Sequence, residues 1–353
     1  MPRTRRLSWL MLLAACGGRP LPEPTPSGPP GPRVSLDAMH ADLGFLAHDL
    51  LEGRGPATRG GRIATAYLAA RFRALGLEPL GPDGSYFQPV ALVGMTPRPT
   101  LAWGPEGDAR ALRYLEDFVA WAERPEATVA ADGDVIFAGY GITAREWNWD
   151  DFKDEVVRGK ILLVLVNDPG LRDSTIFQGR LLTYYGRWTY KLEEAARRGA
   201  VGVILVHTSE SATYPWEVVR NSWSGEQFQL DQPRDPSLAF AGWVTWEAAR
   251  RALERAGWDL DSLAARAGRR DFRPVATGLH AAVQVTSRLR RVSSENVVAR
   301  LPGGDPELAR EAVLFTAHWD HLGIGRKVDG DSIYNGAEDN ASGTAGLLAA
   351  AEA

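Results

Sequence analysis

The chain has 353 residues, of which 44% are hydrophobic and 24% are charged. At about one domain per 100–200 residues, this length allows two or three domains with hydrophobic cores, and the composition excludes collagen-like and wholly disordered chains. The net charge is -4, from 40 Lys and Arg against 44 Asp and Glu, so the sequence indicates no nucleic-acid partner. The single Cys excludes an intramolecular disulfide.

The first residues predict export. Three Arg precede the apolar run 7–15, which is too short to span a bilayer and has the charge and length of a signal peptide. The run leads into Leu13-Ala14-Ala15-Cys16, which resembles the lipobox of bacterial lipoproteins, where the Cys is acylated. We expect a signal peptide over 1–15, a Pro- and Gly-rich tether over 16–33, and a lipid anchor on the periplasmic or cell-surface side of a bacterial membrane. An ordinary signal peptide that ends near a Cys is the alternative.

Two helices are predicted next. Apolar residues three or four positions apart between 36 and 50 indicate a first helix, with Ser35 as its N-cap and Gly53 at its end. A second helix is predicted over 63–75, followed by Gly76 as a left-handed C-cap. The stretch that follows, up to residue 132, gives only scattered strand and loop signals.

Strands and helices alternate in the middle of the chain, which predicts a compact α/β unit over 130–275 inserted between two parts of another domain, 34–125 and 280–353. Continuous apolar runs indicate buried strands, and stretches of helical periodicity closed by Gly indicate helices. The predicted strands are 135–138, 161–166 and 201–206, and the predicted helices are 190–198 and 245–256.

The last segment carries the residues that point to chemistry. The apolar run 312–317 is predicted to be a strand that leads directly to His318, and open α/β sheets bind ligands at the carboxyl ends of strands. Asp339 follows in a polar loop before a predicted helix. An imidazole and a carboxylate suit zinc, and a carboxylate can bridge two ions. Asp320 can accept the second ring N–H of His318 and fix its tautomer.

These residues lie in two motifs, His318-Trp319-Asp320-His321 and Asn335-Gly336-Ala337-Glu338-Asp339-Asn340, that resemble those of the di-zinc aminopeptidases of the bacterial leucyl aminopeptidase and aminopeptidase Y type. Glu52-Gly53-Arg54-Gly55 and Gly84-Ser85-Tyr86-Phe87-Gln88-Pro89 resemble further parts of that family. The resemblance implies a zinc-peptidase α/β sheet domain, two zinc ions and a peptide substrate. It implies His318 as a terminal zinc ligand, Asp339 as the bridging carboxylate, Asp320 as the acid that orients His318, and His321 as a loop residue.

The resemblance has two further implications near the site. Glu338 stands where many members have Asp, and we expect this change to be tolerated because that residue is not a ligand. The family also implies a cis peptide bond between Asp339 and Asn340.

The middle unit resembles a protease-associated domain. The resemblance rests on Gly139-Tyr140-Gly141-Ile142, Gly159-Lys160-Ile161-Leu162-Leu163-Val164 and the stretch from Glu194 to Ile204. In several peptidase families this domain acts as a lid or substrate-access module and has no catalytic residues. We therefore expect a partial zinc-peptidase domain interrupted by a protease-associated insertion.

The family pattern also requires residues that follow the bridging acid: an adjacent acidic pair, a further Asp and a final His. Residues 340–353 contain none of these. We therefore expect an incomplete chain that binds metal poorly and is inactive by itself, because no general base receives the proton of the bound water.

Two other functions stay open from the sequence. A glutaminyl cyclase of the same fold is the enzymatic alternative, although it typically works with one zinc and the retained His318 argues against it. A non-catalytic protein that uses the insert to bind a peptide or a partner is the alternative from another class. The residues that follow 353 would discriminate, since an acidic pair and a later His support the peptidase.

Overall fold

The computed structural model describes residues 33–232 and 236–353. The predicted signal peptide, Cys16 and nearly all of the predicted tether lie outside these residues. Among the described residues, the helices are too short or too polar for any of them to span a membrane. The helices are α1 Leu36–Leu46, α2 Arg59–Ala74, α3 Trp188–Arg197, α4 Ser209–Ala212, α5 Trp216–Ser222, α6 Trp246–Arg255, α7 Leu260–Ala267 and α8 Gly343–Glu352.

The described strands confirm the predicted α/β class, with a large mixed sheet. They are β1 Glu78–Pro79, β2 Phe87–Pro105, β3 Arg110–Ala111, β4 Phe118–Ala122, β5 Thr128–Phe137, β6 Thr143–Ala144, β7 Trp149–Asp150, β8 Ile161–Leu165, β9 Gly202–His207, β10 Gln227–Leu230, β11 Phe240–Thr245, β12 Val275–Val297, β13 Ala299–Arg300, β14 Gly323–Val328 and β15 Asp331–Tyr334.

The large sheet has the order β10-β2-β12-β5-β8-β9-β11-β4, with β3 beside β2. Strands β5, β8, β9 and β11 are parallel, and helices cover both faces: α6 and α7 pack on one, α3 and α5 on the other. Because β8 and β9 are buried on both faces, every residue in them is buried, and their sequences are continuous apolar runs. The three strands and two helices predicted between 130 and 275 are therefore confirmed.

A second core joins the first and last segments of the chain. Leu68 and Phe72 of α2 belong to the same buried cluster as Ala341 and Leu348, and Trp319 packs against it. The segments that carry the candidate zinc ligands thus pack on the two N-terminal helices, and the Trp319 indole also donates a hydrogen bond to the Glu295 carbonyl of β12.

The boundary predicted between 125 and 130 is misplaced. Strand β4 pairs with β11 in the large sheet, and β2 pairs with β12 from Phe87 to Pro105, so residues before 125 form part of the inserted unit. Trp103 and Phe118 are buried in its core. The sequence conceals this because two partners of β2, β10 and β12, follow it by more than 100 residues. The long β2–β12 pair connects the two cores.

The first helix ends earlier than predicted. Ser35 caps it as expected, since its Oγ accepts a hydrogen bond from the Ala38 N–H at 3.2 Å, but α1 ends at Leu46. The following turn of 3-10 helix, Asp49–Arg54, begins at a new cap, where His48 Nδ1 accepts from the Leu50 N–H. This break redirects the chain, and Leu50 is exposed.

The strand predicted over 312–317 is wrong. The chain there carries no strand, and Val313, Leu314 and Phe315 are 83%, 85% and 67% exposed. A strand needs a hydrogen-bonded neighbour, and none of the segments in 33–232 and 236–353 pairs with it. Its apolar composition is that of a buried strand, but composition alone does not supply the partner.

A substitution at Gly60 should test the close crossing of α2 over the 3-10 turn that follows α1. A Cβ at Gly60 would lie 1.7 Å from the carbonyl oxygen of Leu51, whereas one at Gly44 in α1 meets nothing within 4 Å. We expect Gly60→Ala to lower the free energy of unfolding by about 1–3 kcal/mol or more through overpacking. Gly44→Ala should raise it by up to about 1 kcal/mol. Urea denaturation measures both, and equal effects would contradict the crossing.

Candidate metal centre

The structure brings His318 and Asp339 together. His318 Nε2 lies 2.9 Å from Asp339 Oδ1, and the two side chains are 51% and 72% exposed. His318 follows the apolar segment 312–317, and Asp339 lies in the turn Ala337–Ser342, directly before α8. The pair therefore presents an imidazole nitrogen and a carboxylate to solvent at one point, although they are 21 positions apart in sequence.

The contact of Asp320 differs from the prediction. His318 Nδ1 is 3.0 Å from the backbone carbonyl oxygen of Asp320, while the Asp320 carboxylate oxygen Oδ1 lies farther away, at 3.6 Å. Since a carbonyl can only accept, Nδ1 is the nitrogen that donates. Nε2, the nitrogen that faces Asp339, is then the one available to a metal. Asp320 orients the ring through its main chain, because the two-residue spacing folds its carbonyl back beneath the imidazole.

His321 lies nearer to the pair than its predicted role as a loop residue implies. Its Nδ1 is 3.9 Å from Asp339 Oδ2, and its side chain is only 17% exposed. Burial lowers the pKa of His321, and the negative charge of Asp339 opposes this shift. Its position behind Asp339 could not be inferred from spacing, because it depends on how the loop folds.

A buried arginine, for which the sequence analysis proposed no role, lies beneath the site. Arg54 is 0% exposed and donates from Nε to the Trp319 carbonyl at 2.8 Å and from a terminal nitrogen to the Gly336 carbonyl at 2.9 Å. It also donates to the carbonyls of Leu46 and Asn335. The role of Arg54 could have been suggested by the Glu52-Gly53-Arg54-Gly55 motif, but that motif indicated only a resemblance to the family.

The peptide bond between Asp339 and Asn340 is cis, as the family resemblance predicts. Asn340 Oδ1 accepts a hydrogen bond from the Gly343 N–H at 3.1 Å, at the first residue of α8. Asp339 is thus fixed to the start of a helix whose Ala345 and Leu348 are fully buried.

The donor types present fit zinc in part. A neutral imidazole nitrogen and a carboxylate oxygen are common zinc ligands, and the two are accessible and adjacent. A protein zinc site takes three or four protein ligands. Within the described parts of the chain, no group of three or more His, Cys, Asp and Glu side chains is arranged to hold an ion. His318 and Asp339 therefore account for part of a site.

A cavity of about 450 Å³ lies elsewhere, outside the carboxyl ends of β8 and β9 in the inserted unit. Tyr140, Arg172 and Trp246 are among its lining residues, and neither His318 nor Asp339 lines it. We place the chemistry at the exposed pair rather than at this cavity, because it is the pair that combines an imidazole and a carboxylate.

One comparison with known protein families includes this location. Residues 296–353 match the family described as Peptidase family M28, and this segment contains both His318 and Asp339. No curated protein matches the chain.

Solved structures that the chain resembles include an aminopeptidase from Aneurinibacillus sp. strain AM-1, with 20% identity and a TM-score of 0.40 over 91% of this chain and 59% of that one. Two structures of BSAP, a zinc aminopeptidase from Bacillus subtilis, share 16% and 15% identity with TM-scores of 0.35 and 0.37, each over 91% of this chain. They are covered over 58% and 57% of their own length. The chain thus spans less than two thirds of each.

Zinc titration should test the pair directly. We expect His318→Ala and Asp339→Asn each to weaken zinc binding at least about 10-fold, since even the loss of a residue that supports a ligand costs 10–100-fold. His40→Ala, in the exposed part of α1, serves as the matched control and should leave binding unchanged. Competition with a chromophoric chelator measures the affinity. Equal loss in all three variants would mean that zinc binds nonspecifically.

Proposed function

We propose that this protein is a zinc-dependent aminopeptidase that removes N-terminal residues from peptides. The observation that carries the proposal is the 2.9 Å contact between His318 Nε2 and Asp339 Oδ1 inside a segment of peptidase family M28. His318 and Asp339 would hold the metal, with Asp339 shared between two ions. When bound, zinc polarises the peptide carbonyl and lowers the pKa of a water molecule.

The chain's own residues have defined parts in this proposal. The main-chain carbonyl of Asp320 sets the tautomer of His318, and the buried guanidinium of Arg54 contacts both loops that carry the ligands. His321 Nδ1 lies 3.9 Å from Asp339 Oδ2. These groups bind and orient the ligands, but none is placed as a general base.

We further propose that the 353 residues do not hydrolyse peptides by themselves. The family resemblance requires an adjacent acidic pair, of which one member is the general base, and residues 340–353 contain only the single acid Glu352. Without that base, no described side chain beside the pair is assigned to take a proton from the attacking water.

We propose that the inserted unit is a protease-associated domain that controls access to the site. Its support is the order of its parallel strands and the sequence resemblance of Gly139-Tyr140-Gly141-Ile142 and Gly159-Lys160-Ile161-Leu162-Leu163-Val164 to that domain.

We also propose that the protein is exported and anchored by an acylated Cys16 on the outer face of a bacterial membrane. The lipobox-like sequence and the Pro- and Gly-rich tether support this location. The proposed partners are a peptide substrate and, through the lipid, the membrane.

Activity should depend on His318 in a protein that includes the coding sequence downstream of codon 353. We expect the 353-residue chain to leave leucine p-nitroanilide intact and the extended protein to hydrolyse it. His318→Ala in the extended protein should reduce kcat/KM at least about 1,000-fold, because the metal supplies several kcal/mol of transition-state stabilisation.

The control is His40→Ala in the same extended protein, which should retain full activity. If the extended His318→Ala protein remained active, or if no extension produced hydrolysis, the proposed reaction would be rejected.

Membrane attachment should depend on Cys16. In a bacterial host, wild-type protein should incorporate labelled palmitate and sediment with membranes after a high-salt wash, whereas Cys16→Ala should do neither. A Cys16→Ala protein that still sediments with washed membranes would contradict lipid anchoring, because salt removes electrostatic attachment but leaves acyl chains inserted.

A further inference from the structure

Arg54 is a buried cation whose hydrogen-bond partners are main-chain carbonyls. Its guanidinium is fully buried, and its four acceptors are the carbonyl oxygens of Leu46, Trp319, Asn335 and Gly336. An arginine has five N–H donors in a rigid planar fork, so one side chain can reach acceptors in several directions at once. The four carbonyl oxygens thus replace water around the positive charge of Arg54, whose burial would otherwise be unfavourable.

The acceptors come from three separate segments. Leu46 is the last residue of α1, Trp319 lies between His318 and Asp320, and Asn335 and Gly336 lie shortly before Asp339. The single guanidinium therefore contacts both loops that carry the candidate ligands and fastens them to the end of a helix. The backbone of Arg54 adds to this contact, because its carbonyl accepts from the His321 N–H at 3.4 Å.

Other contacts also hold the two loops. Asn335 Nδ2 donates to the Ala47 carbonyl and to Asp49 Oδ1, each at 2.8 Å, and holds the Asp339 loop. Thr344 Oγ1 donates to the His318 carbonyl at 3.1 Å. Residues 312–316, which precede His318, are exposed. Arg54 differs from Asn335 and Thr344 because its side chain donates to the main chains of both loops.

We propose that Arg54 is the positioning residue of the His318–Asp339 pair: its guanidinium holds the two loops in register by bonding to both main chains, with or without a metal. The inference rests on the proposed function only where it concerns zinc. A lysine cannot substitute, because its three donors radiate from one nitrogen and do not match the planar fork. The turn at Gly53 and Arg54, with φ of 69° and 50°, directs the side chain inward.

Hydrogen exchange of the metal-free full chain tests the proposal. Arg54→Lys should accelerate amide exchange in both 318–323 and 335–341 at least about tenfold, since hydrogen bonds from a charged donor are the strong ones. Asn335→Ala should accelerate exchange in 335–341 alone. The matched control is Arg71→Lys. Arg71 lies on α2 and forms a salt bridge with Asp42 of α1, and its replacement should change exchange in neither segment. Exchange in β8 and β9 should stay constant in all variants.

Two outcomes would overturn the inference. Unchanged exchange in either loop of Arg54→Lys would show that Arg54 does not hold both, and equal acceleration by Arg71→Lys would show a general loss of packing. If Arg54→Lys fails to fold, hydrogen exchange of the wild-type chain under increasing urea replaces it as the test. The amides of 318–323 and of 335–341 should then open with one common free energy. Separate opening would reject a shared constraint.

A zinc titration separates this inference from the proposed function. We expect Arg54→Lys to weaken zinc binding about 10–100-fold, as the loss of ligand-supporting groups does, with the melting temperature of the inserted unit unchanged. If wild-type protein binds no zinc, the proposed function fails while the exchange result still stands on its own. If wild type binds zinc and Arg54→Lys binds it equally well, the positioning role is wrong.

Discussion

The site depends on one buried charge. The guanidinium of Arg54 has no solvent contact, and its protonated state is retained because an arginine cannot be deprotonated in proteins. Burial lowers its pKa, and the negative charges of Asp320 and Asp339 oppose this shift. The folded state therefore has to supply carbonyl acceptors, and the segments that supply them are the ones that carry His318 and Asp339. The hydrogen bonds that stabilise the buried Arg54 therefore also bring the segments of His318 and Asp339 together.

The large sheet meets this assembly at one end of the β2–β12 pair, where Phe87 and Val297 pack against the second core. The inserted unit has its own core, built on strands that are buried on both faces. Trp319 connects the site to β12, since its indole N–H donates to the Glu295 carbonyl at 3.1 Å, and to α2, since its ring lies against Gly61. The site is thus supported by α1, α2 and α8, which pack on one another.

Local patterns predicted the elements well and their long-range partners poorly. The buried runs that became β8 and β9 and the Ser35 cap could be inferred from neighbouring residues alone. The place of β2 in the inserted sheet could not be inferred, because its long partner β12 lies far along the chain. The apolar run 312–317 misled because none of the described segments pairs with it. The pairing of His318 with Asp339 came from a family resemblance, whereas the contacts of Arg54 and His321 depend on tertiary folding that no spacing reveals.

The central claim is that His318 and Asp339 bind one zinc ion through the two atoms that face each other. The most direct test is a crystal of the full chain soaked in zinc, with diffraction data collected on both sides of the zinc absorption edge. The account predicts an anomalous peak about 2.0–2.2 Å from both His318 Nε2 and an Asp339 carboxylate oxygen. A peak at His318 Nδ1, or zinc bound elsewhere with this pair empty, would contradict it.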